Sequence, residues 1–161
     1  MEIILAKSAG FCFGVQRAVD TAYKEAGKQH VYTYGPIIHN EEVIEDLRKK
    51  GVLVIEDLAE LDQQEDETVI IRSHGVSKDV MEQLETRHVN VVDATCPFVL
   101  KIHRLVEKYS TDGAQIVIIG NEKHPEVKGI KSWSLDLHTA VISTPEEAEK
   151  YQAESGKKVC I

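Results

Sequence analysis

The chain has 161 residues, 42% of them hydrophobic and 29% charged, enough to close one substantial core or two small α/β lobes and too apolar to stay disordered. A net charge of -8 leaves no basic stripe for a nucleic acid, so any bound anion must be held locally by helix ends and histidines, which favours a compact ligand such as a phosphate ester. There is no apolar run of bilayer length and no basic leader or cleavage site at the start, and three scattered cysteines make a poor disulfide framework; the expectation is a cytoplasmic protein, with no membrane partner, whose thiols serve metal or redox chemistry.

Along the chain, strand and helix patterns alternate. An apolar run over residues 2–7 predicts a first strand, and Gly10-Phe11-Cys12-Phe13-Gly14 then leads into a predicted helix over 15–28 with Val15, Ala18, Val19 and Ala22 on one face. A strand over 30–34 runs into Gly35-Pro36-Ile37-Ile38-His39-Asn40. The helix over 40–50 that follows has an Asn cap and acids at its start, and closes on Arg48-Lys49-Lys50-Gly51. Strands over 52–55 and 68–73 come next, the second opening into Arg72-Ser73-His74-Gly75-Val76 before a helix over 77–88. A strand over 90–94 ends in Asp93-Ala94-Thr95-Cys96-Pro97, with Pro97 in the first turn of a helix over 97–109. A strand over 115–120 precedes a loop containing His124-Pro125-Glu126-Val127. Strands over 139–143 and 158–161 flank a last helix over 145–154.

This rhythm, with its continuous Val/Ile runs, predicts an α/β fold of two similar lobes with mainly parallel sheets flanked by helices. The boundary falls at Cys96-Pro97: residues 1–96 form an N-terminal strand and a first lobe, and residues 97–161 a second. Open parallel sheets bind ligands in the crevice beyond the carboxyl ends of their strands. Cys12, His39, His74, Cys96 and His124 each follow a predicted strand within a few residues, so the fold alone gathers them on one edge. A single loop histidine is usually an ordinary polar residue and a single cysteine a small core residue, but five at equivalent positions are harder to dismiss. Gly14, Gly35, Gly75 and Gly120 suit tight loops or close backbone approach. His103 and His88 read as satisfied or solvent-exposed, His30 and His138 as unremarkable, and Arg17 as the partner of an acid or a support for the Cys12 loop.

The motifs at residues 10–18, 35–40, 72–76, 93–97 and 124–129 together resemble those of the 4-hydroxy-3-methylbut-2-enyl diphosphate reductases, in order and at compatible spacings along the whole chain. That resemblance implies a parent fold of three lobes around a central 4Fe-4S cluster. It also implies reductive dehydroxylation of an allylic diphosphate to isopentenyl and dimethylallyl diphosphate in the non-mevalonate route to isoprenoids, with electrons from an external flavodoxin- or ferredoxin-type protein. It assigns Cys12 and Cys96 to the cluster, His39, His74 and His124 to the diphosphate, and Glu126 to proton delivery at the leaving hydroxyl. Thiolates are soft ligands suited to iron-sulfur centres, and imidazoles bind phosphate oxygens without adding a large net charge.

The family's third cluster cysteine lies in a later segment than this chain reaches. Cys160 sits inside a strand pattern and reads as a core residue, so the chain is expected to be an N-terminal part of a reductase, inactive alone. Two other readings are a non-redox phospho-ligand binding domain and a zinc hydrolase, the latter weakened because no two candidate ligands show short zinc spacing.

Overall fold

The computed structural model describes residues 2–61 and 66–161. Its first sheet has four parallel strands, β1 (Val31–Tyr34), β2 (Val52–Ile55), β3 (Thr68–Ile71) and β4 (Asn90–Asp93), in the spatial order β2-β1-β3-β4. One face is covered by α1 (Phe13–Glu25) and α2 (Glu41–Lys49), where Ala18, Val19, Ala22 and Leu47 pack on Val31, Val52 and Ile70. The other face holds α3 (Lys78–Thr86) and a 3-10 turn over Leu58–Glu60, with Leu84, Leu58 and Leu61 against Tyr32, Ile55, Val69 and Ile71. Val69, Ile70 and Ile71 are consecutive and all buried, because a strand with helices on both faces has no solvent side.

The second sheet is smaller. Strands β5 (Gln115–Ile119), β6 (Ala140–Ile142) and β7 (Val159–Cys160) lie in the order β6-β5-β7, all parallel. Two helices, α4 (Pro97–Thr111) and α5 (Pro125–Ser132), pack Val106 and Ile130 onto Ile116, while α6 (Pro145–Lys150) buries no residue. The α/β class with parallel sheets follows from these pairings.

Three expectations are corrected. Apart from Met1, which lies outside the described residues, the N-terminal run is not a strand: it has no sheet partner, and Ile3, Ile4 and Leu5 are more than 80% exposed. Apolar residues supply the propensity for a strand, but its hydrogen bonds need a neighbour, and none of the described strands pairs with this run. Residues 125–132, read as loop, form α5; His124 is its N-cap, Pro125 opens it and Glu126 is acidic in its first turn. The last helix stops at Lys150 rather than continuing to 154.

Candidate functional site

In the order β2-β1-β3-β4 the chain reverses its winding direction between β1 and β3, the point at which open parallel sheets characteristically bind their ligands. His39 lies on the loop after β1, and His74 on the loop after β3. Their imidazole centroids are 5.6 Å apart. His124, at the start of α5 beyond β5, adds a third ring 6.4 Å from that of His74. Three strand ends from two sheets thus converge on one imidazole cluster, as the strand-end argument anticipates.

Each ring is held differently. His124 Nδ1 accepts the backbone N–H of Glu126 at 3.2 Å, which makes Nδ1 the acceptor and leaves Nε2 as the ring's available donor. His39 is exposed, next to Asn40, whose Oδ1 caps α2 by accepting from the Val43 N–H. His74 is half-buried, and its pKa is lowered from the usual histidine value, first by burial and then by the Arg72 charge, with Glu126 opposing. His74 is therefore held toward its neutral form until an anion arrives. Arg72 packs over the Gly35 turn, where a Cβ would lie 2.5 Å from its Nη1; Gly35 has a φ of +68°. Sequence reading gave Arg72 no role, and only its place in the motif with His74 could have suggested one.

The thiols sit at helix starts. Cys12 is the N-cap of α1 and Cys96 the N-cap of α4, and neither makes a side-chain cap hydrogen bond. The other four α-helices among the described residues are all capped by a side chain, from Asn40, Ser77, His124 and Thr144. The two cysteine-led helices thus leave their first-turn N–H groups and positive dipole ends free at the sulfurs, a setting that favours an anionic ligand group there. Cys96 Sγ also nests on the first turn of α1: a Cβ added to Gly14 would stand 2.5 Å from it. Cys96 and the start of α1 thus form one wall, and the Cys96 N–H donates to Ser73 O at 2.9 Å, tying that wall to the residue before His74.

Arg17 supports this wall. Its Nη1 donates to Thr95 O at 2.9 Å and its Nη2 to Asp93 O at 3.2 Å, so it holds the Cys96 loop rather than the Cys12 loop or an acid. Cys160 lies opposite Ile116 in β7 and packs on the core of the second sheet. Glu126 is half-buried in the first turn of α5, within electrostatic reach of His74. His103 is neither satisfied nor exposed: it is 3% exposed, and its Nε2 is buried without a partner.

Among the described residues no three His, Cys, Asp or Glu side chains form a group able to hold a metal ion, and no helix is long and apolar enough to cross a membrane. Two soft thiols at helix starts that no side chain caps fit part of a thiolate-bound cluster's ligand set.

The same architecture occurs in known proteins. A solved reductase of E-1-hydroxy-2-methyl-but-2-enyl-4-diphosphate from Plasmodium falciparum superposes with a TM-score of 0.85 at 29% identity, covering 95% of this chain and 48% of the other. A solved (E)-4-hydroxy-3-methyl-but-2-enyl diphosphate reductase, described as the terminal enzyme of the non-mevalonate pathway, gives 0.76 at 37% identity, covering 92% of this chain and 53% of the other. A 4-hydroxy-3-methylbut-2-enyl diphosphate reductase of Caldanaerobacter subterraneus subsp. tengcongensis is 48% identical over 153 residues, 92% of this chain and 52% of the relative. The chain spans about half the length of the curated relatives it matches. Residues 3–161 match the model of the LytB protein, and the chain belongs to that family.

Proposed function

We propose that this chain forms the diphosphate-binding and two-thiolate part of a LytB-type reductase acting on 4-hydroxy-3-methylbut-2-enyl diphosphate. The observation that carries the reading is the hydrogen bond from Cys96 to Ser73, which joins the thiol wall to the loop whose next residue, His74, lies at the centre of the three imidazoles. In this reading an anion at the imidazoles lies on the same side of the fold as the thiols.

In this reading His39, His74 and His124 take the diphosphate, with His124 donating through Nε2 and His74 gaining a proton as the anion arrives. Cys12 and Cys96 are two of the thiolates for a 4Fe-4S cluster, which when bound supplies electrons and a Lewis-acidic iron for the hydroxyl oxygen. Glu126 delivers a proton to that oxygen. The overall reaction takes up two electrons and two protons, breaks the allylic C–O bond and releases water with either isopentenyl or dimethylallyl diphosphate. The electrons come from an external flavodoxin- or ferredoxin-type protein, and the setting is the cytoplasm. We place the division between two lobes at residues 96 and 97, with the family's remaining length supplying the third thiolate.

The test is anaerobic iron-sulfur reconstitution of this sequence joined to the remainder of a full-length reductase. Iron and sulfide uptake at about four each per chain, a broad visible absorption and conversion of the diphosphate with a chemical reductant are expected. Stoichiometric zinc without iron, or a loaded protein that binds the diphosphate and never reduces it, would reject the reading.

A further inference from the structure

Gly14 lies in the first turn of α1, two residues after Cys12, and is buried. It is not among the glycines with positive φ, so its backbone conformation does not require glycine. Within a helix glycine costs up to about 1 kcal/mol relative to alanine, so something other than conformation must offset it here. The contact with Cys96 does. A Cβ at Gly14 would lie 2.5 Å from Cys96 Sγ and 2.9 Å from Cys96 Cβ. Turning the thiol to another rotamer would relieve the first clash and leave the second.

The Cys96 backbone is poorly able to move aside. Its N–H donates to Ser73 O at 2.9 Å and its carbonyl accepts from Leu100 N–H at 3.0 Å. The two preceding turns are held as well, by Arg17 on Thr95 O and Asp93 O and by the Thr95 N–H on Asp93 Oδ1 at 2.8 Å. Arg17 is three residues after Gly14 on the same helix, hence on the same face. One residue clears the space for the sulfur and the other anchors the backbone that carries it. Farther along α1, Ala18, Val19 and Ala22 are fixed in the core of the first sheet.

We propose that Gly14 and Arg17 are positioning residues that set the spacing between the Cys12 and Cys96 thiols, so that both can reach one soft metal centre. This rests on the reading of those cysteines as cluster ligands. Alanine at Gly14 forces α1 away from the Cys96 loop and carries Cys12 with it; loss of the Arg17 fork releases the loop instead.

The spacing is measured on the 161-residue chain by titrating Cd2+ and following the sulfur-to-cadmium charge-transfer absorption, with Cys12→Ser and Cys96→Ser as one-thiol references. The parent should bind one ion with a two-thiol amplitude. Gly14→Ala should fall to the one-thiol amplitude with at least tenfold weaker binding, while its far-ultraviolet circular dichroism stays that of the parent. Arg17→Gln, which adds no atoms to the contact, should weaken two-thiol binding several-fold and keeps the test decisive if Gly14→Ala does not fold. Parent-like affinity and amplitude in either folded variant would overturn the proposal, as would a parent whose two thiols take separate ions. A full-length parent that takes up no iron and sulfide would reject the cofactor reading while leaving the cadmium comparison standing.

Discussion

The rings of His103 and Trp133 stack with centroids 5.2 Å apart and planes within 16° of parallel, joining α4 to the end of α5. The same pair reaches back to the first sheet. A Cβ on Gly75 would lie 2.9 Å from His103 Cε1, and Trp133 Nε1 donates to Val76 O at 3.2 Å. Lys78 completes the seam, its N–H donating to Ser132 Oγ and its ammonium pairing with Glu107 at 2.7 Å. Gly75 directly follows His74, so the imidazole loop is backed by a contact between the two sheets.

Burial lowers the pKa of His103, with Asp93 opposing, so the folded protein holds this ring neutral more strongly than the unfolded chain does. A histidine whose folded pKa lies below its unfolded value of about 6.5 binds more protons when unfolded. Its contribution is present above that pH and is lost as the pH falls through the folded pKa. Urea unfolding from pH 7.5 downward should therefore show stability declining below about pH 6.5. His103→Gln should lower stability at neutral pH and flatten that decline. A parent slope unchanged in the variant would mean that the acid loss comes from elsewhere.

Gly75 has a φ of +72° and no room for a Cβ beside His103 Cε1 and Thr95 Cγ2. Both the backbone and the contact oppose alanine, so Gly75→Ala should destabilise the chain by about 1–3 kcal/mol. Combining it with His103→Ala removes the closer steric contact and leaves the one with Thr95 and the backbone part. The double variant should lose less than the sum of the two single losses. Strict additivity in a double-mutant cycle would show that the two residues do not press on each other.

Much of this arrangement is legible in the residues. Strand runs followed within a few positions by His39, His74, Cys96 and His124 place those side chains on one edge, and local caps such as Asn40 and Ser77 mark the helix starts. What escapes is what depends on distant partners. Arg17 meets carbonyls 76 and 78 positions away, which no local pattern encodes. The apolar run at residues 2–7 has strand propensity but no neighbour. His103 was readable in part, since Val99, His103, Val106 and Ser110 fall on one helical face and all four are buried. The start of α5 also carried its signals, a cap at His124, Pro125 at the first position and Glu126 in the first turn, hidden by the shortness of the segment and by Gly129 within it.

The imidazole cluster gives a spectroscopic prediction. His74 should titrate below the ordinary histidine range in the free chain, because burial and Arg72 both disfavour its cation. Inorganic pyrophosphate should raise its pKa and move the ring resonances of His39, His74 and His124 together. Shifts confined to His30, His88 and His138 would place anion binding elsewhere. Arg72→Met should raise the His74 pKa in the free protein, since it removes the second cause of the depression.

Glu126 stands in the first turn of α5, its own N–H bonded to His124 Nδ1, so the carboxyl and the imidazole are held by the same short segment. Glu126→Gln preserves size and most hydrogen bonding and removes only the ability to deliver a proton. In the full-length, cluster-loaded protein, kcat should fall by roughly a hundredfold or more while the diphosphate still binds, because the three imidazoles that hold it are all retained. The anion contact predicts a further detail: Glu126 raises the pKa of His74, so the amide should lower it. Turnover at the parent rate with the cluster intact would transfer the proton-donor role to water or to another side chain. An unchanged His74 pKa would show instead that the carboxyl points away from the imidazoles.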